Sequence, residues 1–388
     1  MTDTWWVKQG QLDPEQKNVF TLPITDDYLV KGPPGSGKTN VLLLWGKRLI
    51  GSNIPDIVVV VHTRTLQEFI RSGAPKYGIP STKIVTFRKF GTDLLYRVGA
   101  GVTLPADFDK SREVLVDALQ AQISAKRIQQ EYACVLVDEA QDFLPGEIDV
   151  MRVLGQRFFG VADSRQKVYK GQDAIKQLES AVTTVTLPFH YRNGQQICIV
   201  ADGLAKIPIT PTLLETSKYP ENKLPSNVVP LRFPTLDEQC DELIAQLDTQ
   251  RKAYPDDFIG VACPRSEDLD IVIDRLRKSP FAGELVVQTS DEGYEAFDQQ
   301  RHICMCRLHS AKGLEFRAFH ILAAEGLKKF PMQRELTFMG VTRAKTSLCI
   351  YYSEDLPSYL EGALSKLKPD APVVGLDALL DADEEDDN

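Results

Sequence analysis

The 388 residues contain no apolar run near the roughly eighteen needed to cross a bilayer, which excludes an integral α-helical membrane protein. Met1-Thr2-Asp3-Thr4-Trp5-Trp6 has no apolar stretch of the secretory kind, so a cytoplasmic location is expected. Cysteine is sparse: seven residues, an odd number, lie in apolar stretches such as Ala133-Cys134-Val135 and Ala262-Cys263. That excludes a disulfide framework and reads as buried thiols in a reducing compartment. Cys304 and Cys306 share one face of an expected strand, Ile303 to Arg307, but no second pair lies near enough for a zinc site. A positive surplus is missing too. The net charge is −9, and six of those charges sit in the last eight residues (Asp381, Asp383, Glu384, Glu385, Asp386, Asp387), which leaves −3 for the body. Such a body can still hold a basic groove, because net charge governs solubility more than sites.

What is present is organised around Tyr28-Leu29-Val30-Lys31-Gly32-Pro33-Pro34-Gly35-Ser36-Gly37-Lys38-Thr39, followed by apolar Val41 to Leu44. This is strand, glycine loop, helix. Gly32 and Gly37 bracket four residues and precede Lys38 and Thr39, the spacing that curls backbone N–H groups around a polyphosphate at a helix N-terminus. Lys38 would neutralise the β/γ oxygens of ATP, and Thr39 would set its hydroxyl on Mg²⁺. Upstream, Asp13 and Pro14 read as N-cap and first residue of a short helix, which brings the Gln16 amide within reach of an adenine edge.

Two further strands are expected, Ile57 to Val61 and Ile84-Val85, ending at His62-Thr63 and Thr86-Phe87. Tips at the carboxyl ends of parallel strands are where open α/β sheets bind ligands, although each is equally a plain loop. Gly91 to Glu131 reads as helical, broken at Gly99-Ala100-Gly101. Then Cys134-Val135-Leu136-Val137 delivers Asp138 and Glu139, the carboxylates a phosphate loop needs. Asp138 would bind Mg²⁺ through water opposite Thr39, and Glu139 would deprotonate the attacking water.

Asp138-Glu139-Ala140-Gln141-Asp142 resembles motif II of the UvrD/Rep-like branch of superfamily 1 helicases, and the other motifs follow in the family's order. Ala162 to Tyr169 resembles motif III, Phe189-His190-Tyr191-Arg192-Asn193 motif IV, His309 to Phe316 motif V, and Phe338 to Lys345 motif VI. The resemblance spans nearly everything from Leu12 to Tyr352. It implies two tandem RecA-like α/β domains with parallel sheets and a small helical insertion, about 91–131, in the first. The implied domains are residues 1–185 and 186–366, followed by an acidic tail over 367–388 that is expected to be disordered.

The resemblance also implies roles. Gln16 reads the adenine and Tyr191 stacks on it. Gly32, Pro33, Pro34, Gly35, Ser36, Gly37, Lys38, Thr39 and Asn40 hold the nucleotide, with Gly313 beside Glu315, the acid that meets the ribose. Arg192 and Arg343 are arginine fingers, and Gln166 is the γ-phosphate sensor. Single-stranded DNA crosses at His62, Thr63, Thr86, Phe87, Tyr169 and His309. A DNA-dependent ATPase and 3′ to 5′ translocase or helicase is therefore the leading expectation. The rival is an ATP-gated switch that recruits a partner such as a nuclease or a repair or defence component. Phosphate contacts and stacking do not by themselves distinguish DNA from RNA.

The chain departs from the family in places. No room exists for a folded second insertion between Lys278 and His309, Gly171 stands where a base-stacking tryptophan is usual, and His62 replaces an aromatic. Loss of one stacking platform weakens grip on a strand by about 1 to 3 kcal/mol.

Overall fold

A computed structural model describes residues 6–163, 174–205, 210–289, 293–297, 301–330 and 332–367. Gln166, Tyr169, Gly171 and the acidic tail lie outside the described residues. Short apolar runs without polar alternation become strands covered on both faces. Five of them, β1 (Tyr28–Gly32), β2 (Ile57–Val61), β3 (Ile84–Thr86), β4 (Cys134–Val137) and β5 (Phe158–Asp163), join the polar, largely exposed edge strand β6 (Thr183–Thr186) in one sheet of order β3-β2-β4-β5-β1-β6. Every pairing in it is parallel.

Helix α1 (Pro14–Val19) precedes β1. Helices α2 (Lys38–Gly51) and α3 (Arg64–Gly73) follow β1 and β2, α4 (Phe87–Arg97) and α5 (Phe108–Ser124) fill the β3 to β4 connection, and α6 (Pro145–Leu154) and α7 (Ala174–Ala181) flank β5. The insertion is thus two helices. α4 begins before Gly91 because the Thr86 hydroxyl accepts from Lys89 N and caps it there. Gly99, at φ +67°, follows its end.

The second sheet holds β7 (Asn227–Arg232), β8 (Ile259–Cys263), β9 (Leu285–Thr289), β10 (Gly293–Tyr294), β11 (Ile303–Arg307), β12 (Phe316–Ile321) and β13 (Ala344–Tyr352), in the order β10-β9-β11-β8-β12-β13-β7. Only β10 runs antiparallel to its neighbour. Between β6 and β7 lie α8 (Gln195–Leu204) and α9 (Leu213–Thr216); α10 (Leu236–Ala253), α11 (Ser266–Arg277), α12 (Gln333–Val341) and α13 (Ser358–Leu364) complete the unit. The fold is therefore two tandem RecA-like α/β units. Among the described residues the β9 to β11 connection carries only β10, with no folded insertion. No helix among them is long and apolar enough to cross a membrane.

Aromatic and aliphatic packing unites the layers. Trp45 of α2 stacks on Phe159 at 4.7 Å and meets Tyr28 edge-on at 5.6 Å. The cluster that contains them continues into Leu308, Phe319 and Leu348 of the second unit. Each sheet's other face has a separate core. All seven cysteines are buried free thiols, and burial pushes Cys134 up to about 12.

His320 of β12 is fully enclosed: its Nε2 donates to Gln250 Oε1 at 2.8 Å and its Nδ1 accepts from the Tyr351 hydroxyl at 3.0 Å. Burial pulls its pKa down to about 3. An unfolded histidine takes a proton below about 6.5. The neutral imidazole's contribution is therefore complete above that pH and declines as pH falls toward 3, by about 2 kcal/mol at pH 5. In urea unfolding, the stability gap between the native chain and His320→Gln should narrow by about that amount from pH 7 to pH 5.

Candidate functional site

The glycine loop between β1 and α2 has the conformation its composition allows. Gly35 and Gly37 adopt φ +77° and +80°, values that open the loop and that a side chain rarely tolerates. A Cβ on Gly35 would lie 2.4 Å from the Arg192 Cβ, and one on Gly37 would lie 2.6 Å from Gln16 Nε2. Gln16 itself closes the α1 cap, where its Oε1 accepts from Asp13 N at 3.1 Å, and donates through Nε2 to Ser36 O at 2.8 Å. Lys38 folds back on the loop, donating to Gly32 O at 3.1 Å and Pro33 O at 2.8 Å, with Asp163 Oδ2 at 3.7 Å.

β4 ends against this loop. Thr39 Oγ1 donates to Asp138 Oδ2 at 2.9 Å. A hydroxyl and a buried carboxylate side by side are hard oxygen donors of the kind Mg²⁺ takes. Together with the glycine cradle and the enclosed Ser36 Oγ, which has no partner among the described residues, they fit a magnesium nucleotide. Burial, and then Glu139, push the Asp138 carboxyl up to about 7. Burial acts upward on Glu139 as well, but Lys312, Lys38 and Arg343 outweigh it and hold that carboxyl below its usual range. Glu139 sits at φ +52° and accepts from Gln141 Nε2, whose Oε1 in turn accepts from Asp163 N at 2.9 Å. The carboxylate is thereby aimed from a constrained backbone position.

The second unit supplies the opposite wall. Tyr191 N donates to Gly35 O at 3.0 Å, seating the Tyr191-Arg192-Asn193 segment on the glycine loop. Arg192 pairs with Glu315 and donates to Thr342 O at 3.3 Å, while its Nε has no partner among the described residues. Arg343, 2 % exposed, donates to Met339 O at 2.9 Å and Leu314 O at 3.1 Å; burial and Arg192 bring its pKa down to about 10. Burial would raise Glu315, but Arg192 and Lys345 hold it far below the normal carboxylate range. A small space of about 30 Å³ is walled by Lys38, Thr39, Glu139 and Asp163 on one side and by Arg192, Gly313, Glu315 and Arg343 on the other. An adjoining cleft of about 370 Å³ is lined by Gln16, Asn40, Tyr191, Tyr219, Glu315 and Lys345.

The structure thus gathers Gln16, the glycine loop, Lys38, Thr39, Asn40, Asp138, Glu139, Tyr191, Arg192, Gly313, Glu315 and Arg343. The Asn40 Oδ1 accepts from Val7 N at 3.0 Å and from the Tyr77 hydroxyl at 2.7 Å, while the residue lines both clefts. The expected strand contacts fare differently. Thr86 and Phe87 are 8 % and 4 % exposed, spent as helix cap and core, so they do not form an exposed contact tip. Thr63 caps α3. The His62 ring meets Phe108 of α5 at 6.0 Å and Phe143 at 5.5 Å, so the insertion covers it; His309 is exposed.

Sequence reasoning gave no role to Asp142 and Lys312, which form a buried ion pair of 2.5 Å between the units, nor to Gln141, Lys345 or the Arg112–Glu147 pair. Asp142, Gln141, Lys312 and Lys345 lie inside the recognised motifs. Arg112 and Glu147, 35 residues apart, carry no local signal. Gly35→Ala should lose at least about 1 to 3 kcal/mol of stability in urea unfolding from backbone strain, to which the clash with Arg192 Cβ adds, whereas Gly51→Ala, with open space at its Cβ, should lose none.

No family model matches the sequence, and no curated protein matches it. Among the solved structures similar to the chain are several helicases by their descriptions. The C-terminal domain of a possible DNA helicase from Lactobacillus plantarum WCFS1 is 18 % identical at a TM-score of 0.31, covering 45 % of this chain and 93 % of that one. Arterivirus nonstructural protein 10, a helicase, is 17 % identical at a TM-score of 0.41, covering 87 % of this chain. The chain spans 62 % of that protein's length, and the same protein is also known in complex with DNA. The PRRSV helicase is 15 % identical at a TM-score of 0.38, over 85 % of this chain and 55 % of that one.

Proposed function

We propose that the chain is a nucleic-acid-dependent ATPase of superfamily 1, a UvrD/Rep-like translocase or helicase on single-stranded DNA with 3′ to 5′ polarity. The observation that carries this is the single space walled by Lys38, Thr39 and Glu139 from one unit and by Arg192 and Arg343 from the other. A binding site built by one unit alone would need no guanidinium from its neighbour. Gly35 and Gly37 open a backbone cradle for the β- and γ-phosphates, and Lys38 turns from the loop carbonyls onto their oxygens. Mg²⁺, held by Thr39 and by Asp138 through water, would neutralise phosphate charge and align the chain. Glu139, kept ionised by three cations, takes a proton from the attacking water. Arg192 and Arg343 meet the charge that develops on the transferred phosphoryl group. Tyr191 supplies the face for the adenine and Glu315 a carboxylate for the ribose; Gln166, in motif III, is placed here by resemblance alone.

Because the site needs both units, closing and reopening would shift one sheet against the other, and a strand held across both would be stepped. The units proposed are residues 1–185 and 186–366. A second reading, an ATP-gated switch acting on a partner such as a nuclease, is favoured by the packing of α5 over His62 and by the burial of Phe87.

Hydrolysis by the purified chain should rise at least about tenfold with single-stranded DNA and less with duplex. Glu139→Gln should lower kcat by about 10²- to 10⁴-fold while nucleotide still binds, and Lys38→Ala should lose both. Equal rates with and without any nucleic acid would contradict the motor reading. Duplex unwinding by the isolated chain separates it from the switch.

A further inference from the structure

We infer that Lys312 is a positioning residue through which the second unit sets the turn that carries Glu139. The inference rests on the ATPase reading and adds to it a residue that links the two units. Glu139 and Asp142 bracket one turn, closed by Asp142 N donating to Glu139 O at 2.9 Å. The turn has three handles. Gln141 ties it to β5, and Arg112 of α5 donates to Asp142 O at 2.8 Å while held by Glu147. Both of these belong to the first unit and move with it. The third is Lys312, which reaches Asp142 Oδ1 at 2.5 Å across 170 residues of sequence, with side chains 4 % and 1 % exposed.

A buried ion pair stabilises a fold only when its remaining hydrogen-bonding capacity is filled. Asp142 Oδ2 has no partner among the described residues. The pair is thus poorly suited to pure stabilisation and well placed for registration between the two units. Lys312 is also connected outward. Its N donates to His309 O at 3.4 Å, and His309 is exposed on the turn that follows β11. Next to it Gly313, at φ +82°, seats against Leu66 of α3, where a Cβ would come within 2.8 Å. A shift of the exposed turn therefore displaces the Lys312 ammonium, the carboxylate it holds, and the backbone of Glu139.

The test is steady-state ATP hydrolysis and fluorescent ATP-analogue binding by the full chain, with and without oligo-dT. Lys312→Met should lower DNA-stimulated kcat by about 30-fold or more, with analogue affinity within about threefold, in protein that is still folded at the assay temperature. Lys312→Arg should recover most of the rate. The double variant Asp142→Asn/Lys312→Met should be no slower than Lys312→Met, because the two residues act as one unit. If Lys312→Met does not fold, Asp142→Asn, of the same shape, should show the same split of kcat from affinity. A Lys312→Met rate within about threefold of the native rate, losses that multiply in the double variant, or equal losses of binding and rate would overturn the inference while leaving the ATPase reading intact. Native protein that does not hydrolyse ATP would sink that reading itself, and the inference with it.

Discussion

Charge compensation across the seam between two parallel sheets is the constraint on which the rest of the structure depends. Lys38, Asp138, Asp142, Asp163, Lys312, Arg343 and Lys345 are all nearly enclosed, where a charge without a partner is costly. Their partners come from both sides: Lys38 faces Asp163 within the first unit, Lys312 crosses to Asp142, and Glu315 joins Arg192 to Lys345 within the second. Opening the seam would strand at least the crossing pair. A ligand carrying several negative charges, such as the proposed nucleotide, would redistribute these partners.

Topology explains why the charges meet. In a parallel sheet every strand delivers its following loop to the same edge. β1, β4 and β5 present the glycine loop, the Asp138-Glu139 turn and Asp163; β11 and β12 flank the segment from Lys312 to Glu315, and β13 begins just after Arg343. The Tyr191-Arg192-Asn193 segment bridges them, because Asn193 Nδ2 donates to Thr342 O at 3.1 Å and Ala344 O at 2.6 Å. Arg192 is thereby braced by the backbone on either side of Arg343.

The parts legible in the sequence are those whose signal is local. A glycine loop between an apolar strand and an apolar helix, or two carboxylates at the end of Cys134–Val137, needs no partner elsewhere to be recognised. The Asp13 cap was equally readable. Thr86 and Phe87 were not, because a threonine before a helix serves as cap or contact depending on what covers it, and the cover here is built with α5. The role of Lys312 was hidden by its 170-residue separation from Asp142, and that of Arg112 by a connection that forms only once α5 packs on α6. Sequence periodicity reports faces, whereas these contacts depend on which faces meet.

The most direct measurement is a crystal structure of the full chain with Mg²⁺ and a non-hydrolysable ATP analogue. The account predicts phosphates lying between the Gly35–Thr39 backbone and the guanidinium groups of Arg192 and Arg343, with Glu315 released from Arg192. A nucleotide bound elsewhere, or one held by the first unit with both arginines still turned to Glu315, Met339 and Leu314, would contradict it.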